Sequence, residues 1–476
     1  MSRRPRIVSI PTASAAAIGL VVAFVAAPAA TAEPCEGAAA AAQPLPTQAF
    51  RLPSPSRIAP FNRPIGHKPV GANDQAPMPR LGQLPLEILK AFIPQAGKVK
   101  QQAAVVPPQP NPGRAQQPQP VPQPRPAAPA PAAAAPMPSG PASTSIVGWV
   151  TGPDSPNRTI QRFAITGTDL GIMWDNGDPA NHQVLMAFGD TNGYCGIPGK
   201  QWRYNVLFRS QDGSLANTVA VPDGVVANRY SGSPVWRQGI SKQIINSIGR
   251  APQETGIIPT AGVASGGRQF INFMSIRNWD SPGSWSTNFS AIATSADNGE
   301  TWAVYPGTIR PPGGGNENFQ MGAFLKPGPG DPYLYMYGTP SGRGGSAYVA
   351  RVAPNLIPDL SKYEYFNADS NAWVPANPGA ATPVIPGPVG EMSVQYNTYL
   401  KQYLALYGNG ANDVVMRTAP TPQGPWSPEQ LLVPSAQIPG GIYAPYLHPW
   451  STGKELYYNL SLWSAYNVML MKTVLP

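Results

Sequence analysis

Residues 143–476 predict an all-β fold, and within that class a five-bladed β-propeller preceded by a signal peptide and a long disordered Pro/Ala-rich tail. Three observations lead there. Short runs of Val, Ile, Phe, Tyr and Met are broken roughly every eight to twelve residues by Gly, Asn, Asp and Pro, the spacing of hairpins. Helical periodicity is almost absent. A unit of strand, strand, polar loop and strand recurs five times: Thr166 to about Gly213, Ile257 to Trp302, Phe319 to Trp373, Gly390 to Trp426, and Gly441 to Leu475. That leaves about 67 residues per unit, generous for four-stranded blades and enough for long loops. A large β-sandwich is the alternative, and it gives no reason for the recurrence.

The chain before this region has another character. All 11 Trp and all 19 Tyr follow residue 143, and residues 1–142 hold four aromatics, all Phe. Such a segment cannot bury enough apolar surface to offset its ordering entropy. Residues 1–32 read as a secretory signal peptide: Arg3, Arg4 and Arg6, an apolar run from Ala13 to Ala27, then Ala30-Thr31-Ala32 with cleavage after Ala32. An uncleaved anchor is the alternative, although the run is short for a membrane span. Residues 33–142 form the tail. Within it, Leu81 to Ile93 has the pattern of a short amphipathic helix, and Gln101 to Pro141 has the composition of a polyproline II spacer. A secreted or envelope-associated location follows.

Charge excludes one class of partner. Residues 1–142 hold 13 Lys and Arg against 4 Asp and Glu, which leaves 20 against 20 in the rest, so the net +9 belongs to leader and tail. The folded part lacks the basic footprint of a nucleic-acid binder. With two cysteines in an exported chain, Cys35 and Cys195 form one bridge or remain two free thiols.

The chemistry is expected from carboxylates. Asp169 in TDLG and Asp190 in FGDT stand at the two ends of a hairpin-like stretch, each within two residues of a Gly, and Asp190 follows the apolar run VLMAF. An acid at a strand end beside Gly is well placed for a ligand to approach. Glu391 opens the fourth unit. In a propeller the first strand of each blade lines the channel, so acids from different blades converge there, although each one alone is more often a turn cap or a loop hydrogen-bond partner. Two acids facing one cavity are the minimum equipment of a glycosidase. Candidate substrate contacts are Trp174, Tyr230, Trp236, Tyr396 and Tyr443 as stacking platforms, and Asn192, Glu317, Gln320, Arg343 and Asn397 as polar partners. No cofactor and no metal are expected: His182 and His448 are too scattered for a zinc site, and no motif calls for a structural calcium ion. Ser-His-Asp catalysis lacks its G-x-S-x-G elbow.

Two motifs support the fold rather than the chemistry. Ser295 to Trp302, SADNGETW, matches the S-x-D-x-G-x-x-W Asp-box of sialidases and other propellers, a turn in which Asp297 caps and Trp302 packs. Asp297 is therefore excluded from catalysis. Arg417 to Trp426 resembles a turn of arabinanase-type five-bladed glycosidases. An exo-sialidase is disfavoured because no arginine triad for a sialate carboxylate is evident.

With TGTDLG, FGDTNG, NVLFRSQDG, YLYMYGTP, YVARV and EMSVQYNTYLKQYLALYG on the page, Ile146 to Pro476 resembles a secreted bacterial family formerly of unknown function. Members of it are recognised as endo-D-arabinanases, five-bladed glycoside hydrolases that cut the D-arabinan of arabinogalactan and lipoarabinomannan. The resemblance implies that Asp169 and Asp190 flank the scissile bond, one protonating the leaving oxygen and the other activating water, with inversion expected. Envelope D-arabinan is the expected partner and a monomer the expected state. A non-catalytic propeller binding envelope glycan or protein is the competing reading.

Overall fold

The computed structural model describes residues 142–193, 202–281, 283–328 and 330–476, together with the backbone of Arg125–Pro126. The expected signal peptide, nearly all of the expected tail, and Cys35 and Cys195 with their expected bridge lie outside the described residues.

Strand sequence and position explain one another. Among the described residues, five antiparallel sheets have three or more strands, and each coincides with one of the five recurring units. Sheet I is Leu170–Asp175, Val184–Phe188 and Val206–Ser210. Sheet II is Gly256–Ser265, Arg268–Ser281, Ser284–Ser295 and Ala303–Val304. Sheet III starts at Met321–Leu325, continues through Leu334–Thr339, Tyr348–Val352, Glu364–Asn367 and Ala372–Pro375, and gains Arg125–Pro126 at its edge. Sheet IV runs from Met392–Asn397 through Gln402–Gly408 and Val414–Ala419 to Gln430–Val433. Sheet V orders Ile442–Leu447, Glu455–Leu462 and Asn467–Val474 outward.

The five first strands contact one another in sequence, and that of sheet V returns to that of sheet I. The arrangement is propeller-like, with a ring of strands around a channel. Each sheet packs a face against each neighbour, which is why strands such as VLMAF and LYMYGT are buried along their whole length instead of alternating. Separate apolar clusters fill these wedges: Phe270 and Ile292 meet Phe324 and Met336 between sheets II and III, and Leu404 and Met416 meet Tyr458 and Met469 between IV and V.

Three features go beyond the expected units. Ser143–Trp149 is the outermost strand of sheet V, paired with Asn467–Val474, so the start of the folded region closes the ring on its end. Sheet I has three strands. The long connection from sheet I to sheet II instead contains the small ribbon Val235–Arg237 with Ile240–Ser241.

The two turn motifs take the expected form. Ser295 Oγ donates to Asp297 Oδ1 at 2.7 Å, Asp297 accepts from the Thr301 amide at 2.8 Å, and the Trp302 indole donates to the Gly299 carbonyl at 3.0 Å. Asn298 and Gly299 take the positive φ that such a tight turn requires. Arg417 donates to the Ser427 carbonyl at 2.6 Å, and Trp426 packs edge-on against Tyr337.

Candidate active site

Two distorted strand starts bring the candidate acid and its partner together. Asp169 immediately precedes the first strand of sheet I. Leu170 (φ 68) and Gly171 (φ 70) both take left-handed backbone, and the register against the second strand shifts there. For Leu that conformation costs on the order of 1–3 kcal/mol, and it persists because neighbours hold it. The Leu170 amide donates to Ser461 Oγ at 2.8 Å, and Asn459 Nδ2 donates to the Gly171 carbonyl at 2.8 Å. In sheet V the register shifts between Tyr443 and Tyr446, with Ala444 at φ 50. Across this pair of bulges the Tyr443 hydroxyl donates to Asp169 Oδ2 at 2.9 Å.

Asp190 follows the second strand of sheet I by two residues, with Gly189 between. A Cβ on Gly189 would come within 2.5 Å of Asp169 Oδ1, so only glycine lets the two acids share this space. Asp169 and Asp190 are 0% and 1% exposed. Asp169 Oδ1 and both carboxyl oxygens of Asp190 have no hydrogen-bond partner among the described residues. Unpaired buried carboxyl oxygens are rare in folded proteins and call for an explanation beyond packing. The Asp190 peptide carbonyl accepts from the Tyr466 hydroxyl at 3.0 Å, which fixes the backbone and leaves the side chain unanchored.

Glu391, just before the first strand of sheet IV, sits in a two-pronged ion pair. Arg343 Nε donates to one of its oxygens at 2.9 Å and Nη2 to the other at 2.8 Å. The guanidinium lies 4.8 Å from the Tyr443 ring centroid and 5.8 Å from that of Trp285. All five sheets or their loops therefore contribute: Asp169 and Asp190 from I, Trp285 from II, Arg343 from III, Glu391 from IV, and Tyr443 and Tyr466 from V.

Protonation follows from this surrounding. Burial pushes the Asp169 carboxyl up to about 7; the Tyr443 hydrogen bond opposes the rise, Glu391 adds to it and Arg343 opposes it. Burial pushes Asp190 well above the carboxylate range, with Asp169 adding a like-charge contribution. Burial thus favours the neutral form of both carboxyls. Burial also holds the Tyr443 and Tyr466 phenols well above their usual range, so both remain neutral donors.

Of the other expected contacts, Arg343 and Tyr443 join this cluster, and Asn192 stands beside it. Asn192 is buried, its peptide pairs with Gly167, and its Oδ1 has no partner. Trp174 and Tyr396 lie at the opposite mouth of the channel. Gln320 is buried in loop hydrogen bonds to Thr287 and to the carbonyls of Arg310 and Asn316. Asn397 donates to the Gly453 carbonyl and accepts from the Leu400 amide. Glu317 accepts from the Gly315 amide of its own loop. Tyr230 donates to Asp178 on the outside of sheet I, and Trp236 stands 43% exposed on the small ribbon. Glu391, expected as a catalytic acid, has both oxygens engaged by Arg343, which makes it an electrostatic neighbour of Asp169 in this arrangement.

Sequence reading missed Tyr466 and Trp285. No motif surrounds either, and the proximity of each to the cluster depends on ring closure. His182 and His448 both pack against the Trp450 ring, away from this cluster. His182 pairs with Asp175 at 2.5 Å, while His448 is buried and held neutral by desolvation at about 4. Among the described residues no group of three or more His, Cys, Asp and Glu side chains converges on a metal position, and no helix is long and apolar enough to cross a membrane.

Comparison with known proteins gives three findings. The family described as "Domain of unknown function (DUF4185)" matches residues 154–472. Notoamide biosynthesis cluster protein J of Aspergillus sp. (strain MF297-2) is 26% identical over 326 residues, covering 64% of this chain and 82% of that protein. Among solved structures, similarity extends to a putative hydrolase from Bacteroides ovatus (14% identity, 72% of this chain, 93% of the other, TM-score 0.46). It extends also to an α-L-arabinofuranosidase from Podospora anserina (13% identity, 69% and 94%, TM-score 0.37).

Proposed function

The chain belongs to the DUF4185 family, and on that premise we propose that it is a five-bladed propeller glycoside hydrolase that cuts internal D-arabinofuranosyl linkages of cell-envelope arabinan. One observation supports hydrolase chemistry above the rest: two fully buried aspartates, at the end of sheet I where its channel strand begins, with three carboxyl oxygens unpaired among the described residues. A structural carboxylate would have its partners. Strongly raised carboxyls in a desolvated cluster are what acid and base catalysis need. The choice of D-arabinan rests on the sequence motifs that resemble the endo-D-arabinanases.

In this reading Asp190, whose neutral form burial favours, gives its proton to the glycosidic oxygen as the bond from that oxygen to the anomeric carbon breaks. Asp169 as carboxylate takes a proton from the water whose oxygen bonds to the anomeric carbon. Solvent exchange then restores both groups. Tyr443 holds the Asp169 carboxylate in place, and Arg343 balances Glu391 so that a third negative charge does not stand beside it. We propose inversion, and a secreted or envelope-associated location in which the polymer is met.

The test is incubation of the full mature chain with arabinogalactan and lipoarabinomannan, with product chromatography beside an Asp190→Asn control. Short arabino-oligosaccharides from the wild type alone support the reading. Retention on the polymer with no new reducing ends moves the protein to the class of glycan-binding propellers. Proton NMR of the first product distinguishes inversion from retention.

A further inference from the structure

The channel has two mouths, and the larger cavity lies at the one away from the aspartates. In every first strand, residues lining a narrow apolar cavity precede residues lining a wider one: Leu170 before Met173, Ile258 before Val263, Met321 before Phe324, Met392 before Val394, Ala444 before Leu447. The wider cavity has a volume of about 310 Å³, within the range of small-molecule sites, roughly 300–1,000 Å³. Ile172, Ile258 and Met274 line the narrow part between the mouths, so the two sites are separate.

Its walls are apolar and fixed. The Trp174 indole donates to Gln269 Oε1 at 2.8 Å, and Gly262 makes room for its ring, since a Cβ there would stand 2.1 Å from it. Tyr396 packs edge-on against Tyr403 at 5.2 Å. Most polar lining groups are spent inside the fold. Gln395 donates to the Ser451 carbonyl, Thr398 to that of Thr452, and Ser393 Oγ accepts from the Leu447 amide. Asp175 is taken too, by the Trp450 indole and His182 at 2.5 Å each and by the Gly177 amide at 2.7 Å.

Lys326 is the exception. It follows the first strand of sheet III, lines the cavity, and has no hydrogen-bond or ion-pair partner among the described residues. Its side chain is open to solvent yet ringed by protein, and desolvation holds its ammonium below the usual lysine range, with Asp175 opposing the shift. Against a neutral sugar, the side chains of Gln395, Thr398, Ser393 and Asp175 are each already engaged by a partner in the fold. One free cation above aromatic and aliphatic walls fits a different ligand.

We propose that this cavity binds a small organic carboxylate, its charged head on Lys326 and its apolar body between Trp174 and Tyr396. The test is calorimetric titration of the full mature chain with hexanoate, hexan-1-ol and an arabino-oligosaccharide, repeated on Lys326→Gln and Lys326→Arg. Hexanoate is expected to bind the wild type about tenfold or more tighter than the alcohol, as a charge-assisted contact predicts. Lys326→Gln should lose that preference at unchanged melting temperature, and Lys326→Arg should retain it. Equal binding of acid and alcohol, an unchanged preference in Lys326→Gln, stronger binding of the sugar in a manner sensitive to Lys326, or no binding of hexanoate would each overturn the proposal.

Discussion

Glu300 and Asp190 are both buried carboxylates, at opposite ends of the blades, and the fold treats them in opposite ways. Glu300 receives Arg209 Nη2 at 2.9 Å and Lys242 Nζ at 2.8 Å, and Arg209 also donates to the carbonyls of Asn298 and Ser231. The network joins sheet I to the Asp-box turn of sheet II, and both faces of the charge are satisfied. Asp190 receives nothing on either oxygen among the described residues, and its electrostatic neighbour is a second acid. Burial of charge therefore does not by itself mark a reactive site. What sets Asp190 apart is burial of both carboxyl oxygens beside a second acid, where among the described residues no hydrogen bond repays the desolvation.

Substitutions can break this contrast. The largest effect is expected at the unpaired acids: Asp190→Asn and Asp169→Asn should each lower arabinan hydrolysis by about 10²–10⁴-fold with the circular dichroism spectrum unchanged. Near wild-type turnover in either variant removes that residue from the mechanism. At the paired acid the expectation reverses. Glu300→Ala leaves Arg209 buried and uncompensated, and should cost about 3–5 kcal/mol in denaturant unfolding with activity per folded molecule retained. A neutral outcome there would mean that the network is not a structural weld.

The pH dependence of stability sharpens the comparison further. Asp169 has a folded value of about 7 against 3.8 when free, so the folded state holds the extra proton between those limits. Its stabilising contribution is complete below about pH 4 and is lost as pH rises through about 7. Asp190, raised by burial, carries the same loss to higher pH. Asp190→Asn should therefore be more stable than the wild type at pH 8, and no gain should be seen at pH 4. Thermal melts at the two pH values check it; a variant less stable than the wild type at pH 8 would contradict the assigned direction.

The smallest effect is expected from Tyr443→Phe. Loss of the hydroxyl that favours the Asp169 carboxylate should move the acidic limb of the rate profile to higher pH. Activity at pH 6 should fall about tenfold, recovering in part at pH 8. A uniform loss at every pH would instead assign Tyr443 a packing role.

Much of this molecule was legible from its residues because the signals are local. Strand and turn chemistry marked the five units, SADNGETW marked a capped turn, and FGDT placed Asp190 at a strand end. Each of these depends on neighbours a few positions apart. The contact from Tyr443 to Asp169 spans 274 residues, and that from Arg343 to Glu391 spans 48. Neither has a spacing rule, since both follow from which strand starts bulge and how the ring closes. Leu170 and Ala444 take left-handed backbone without being Gly, Asn or Asp, so nothing in their identity announces the bulges.

The sequence by itself determined the β class, the recurrence of five units, the first strand of each unit as the one expected to line the channel, and the two aspartates worth testing. Tertiary structure alone decided that Ser143–Trp149 closes the ring, that Glu391 is committed to Arg343, and that among the described residues the Asp190 carboxyl and the Lys326 ammonium at the other mouth have no hydrogen-bond partner. The reason is physical: propensity and turn chemistry act within a strand or hairpin, whereas the protonation and partnership of a buried group are set by whatever the rest of the chain brings to its side.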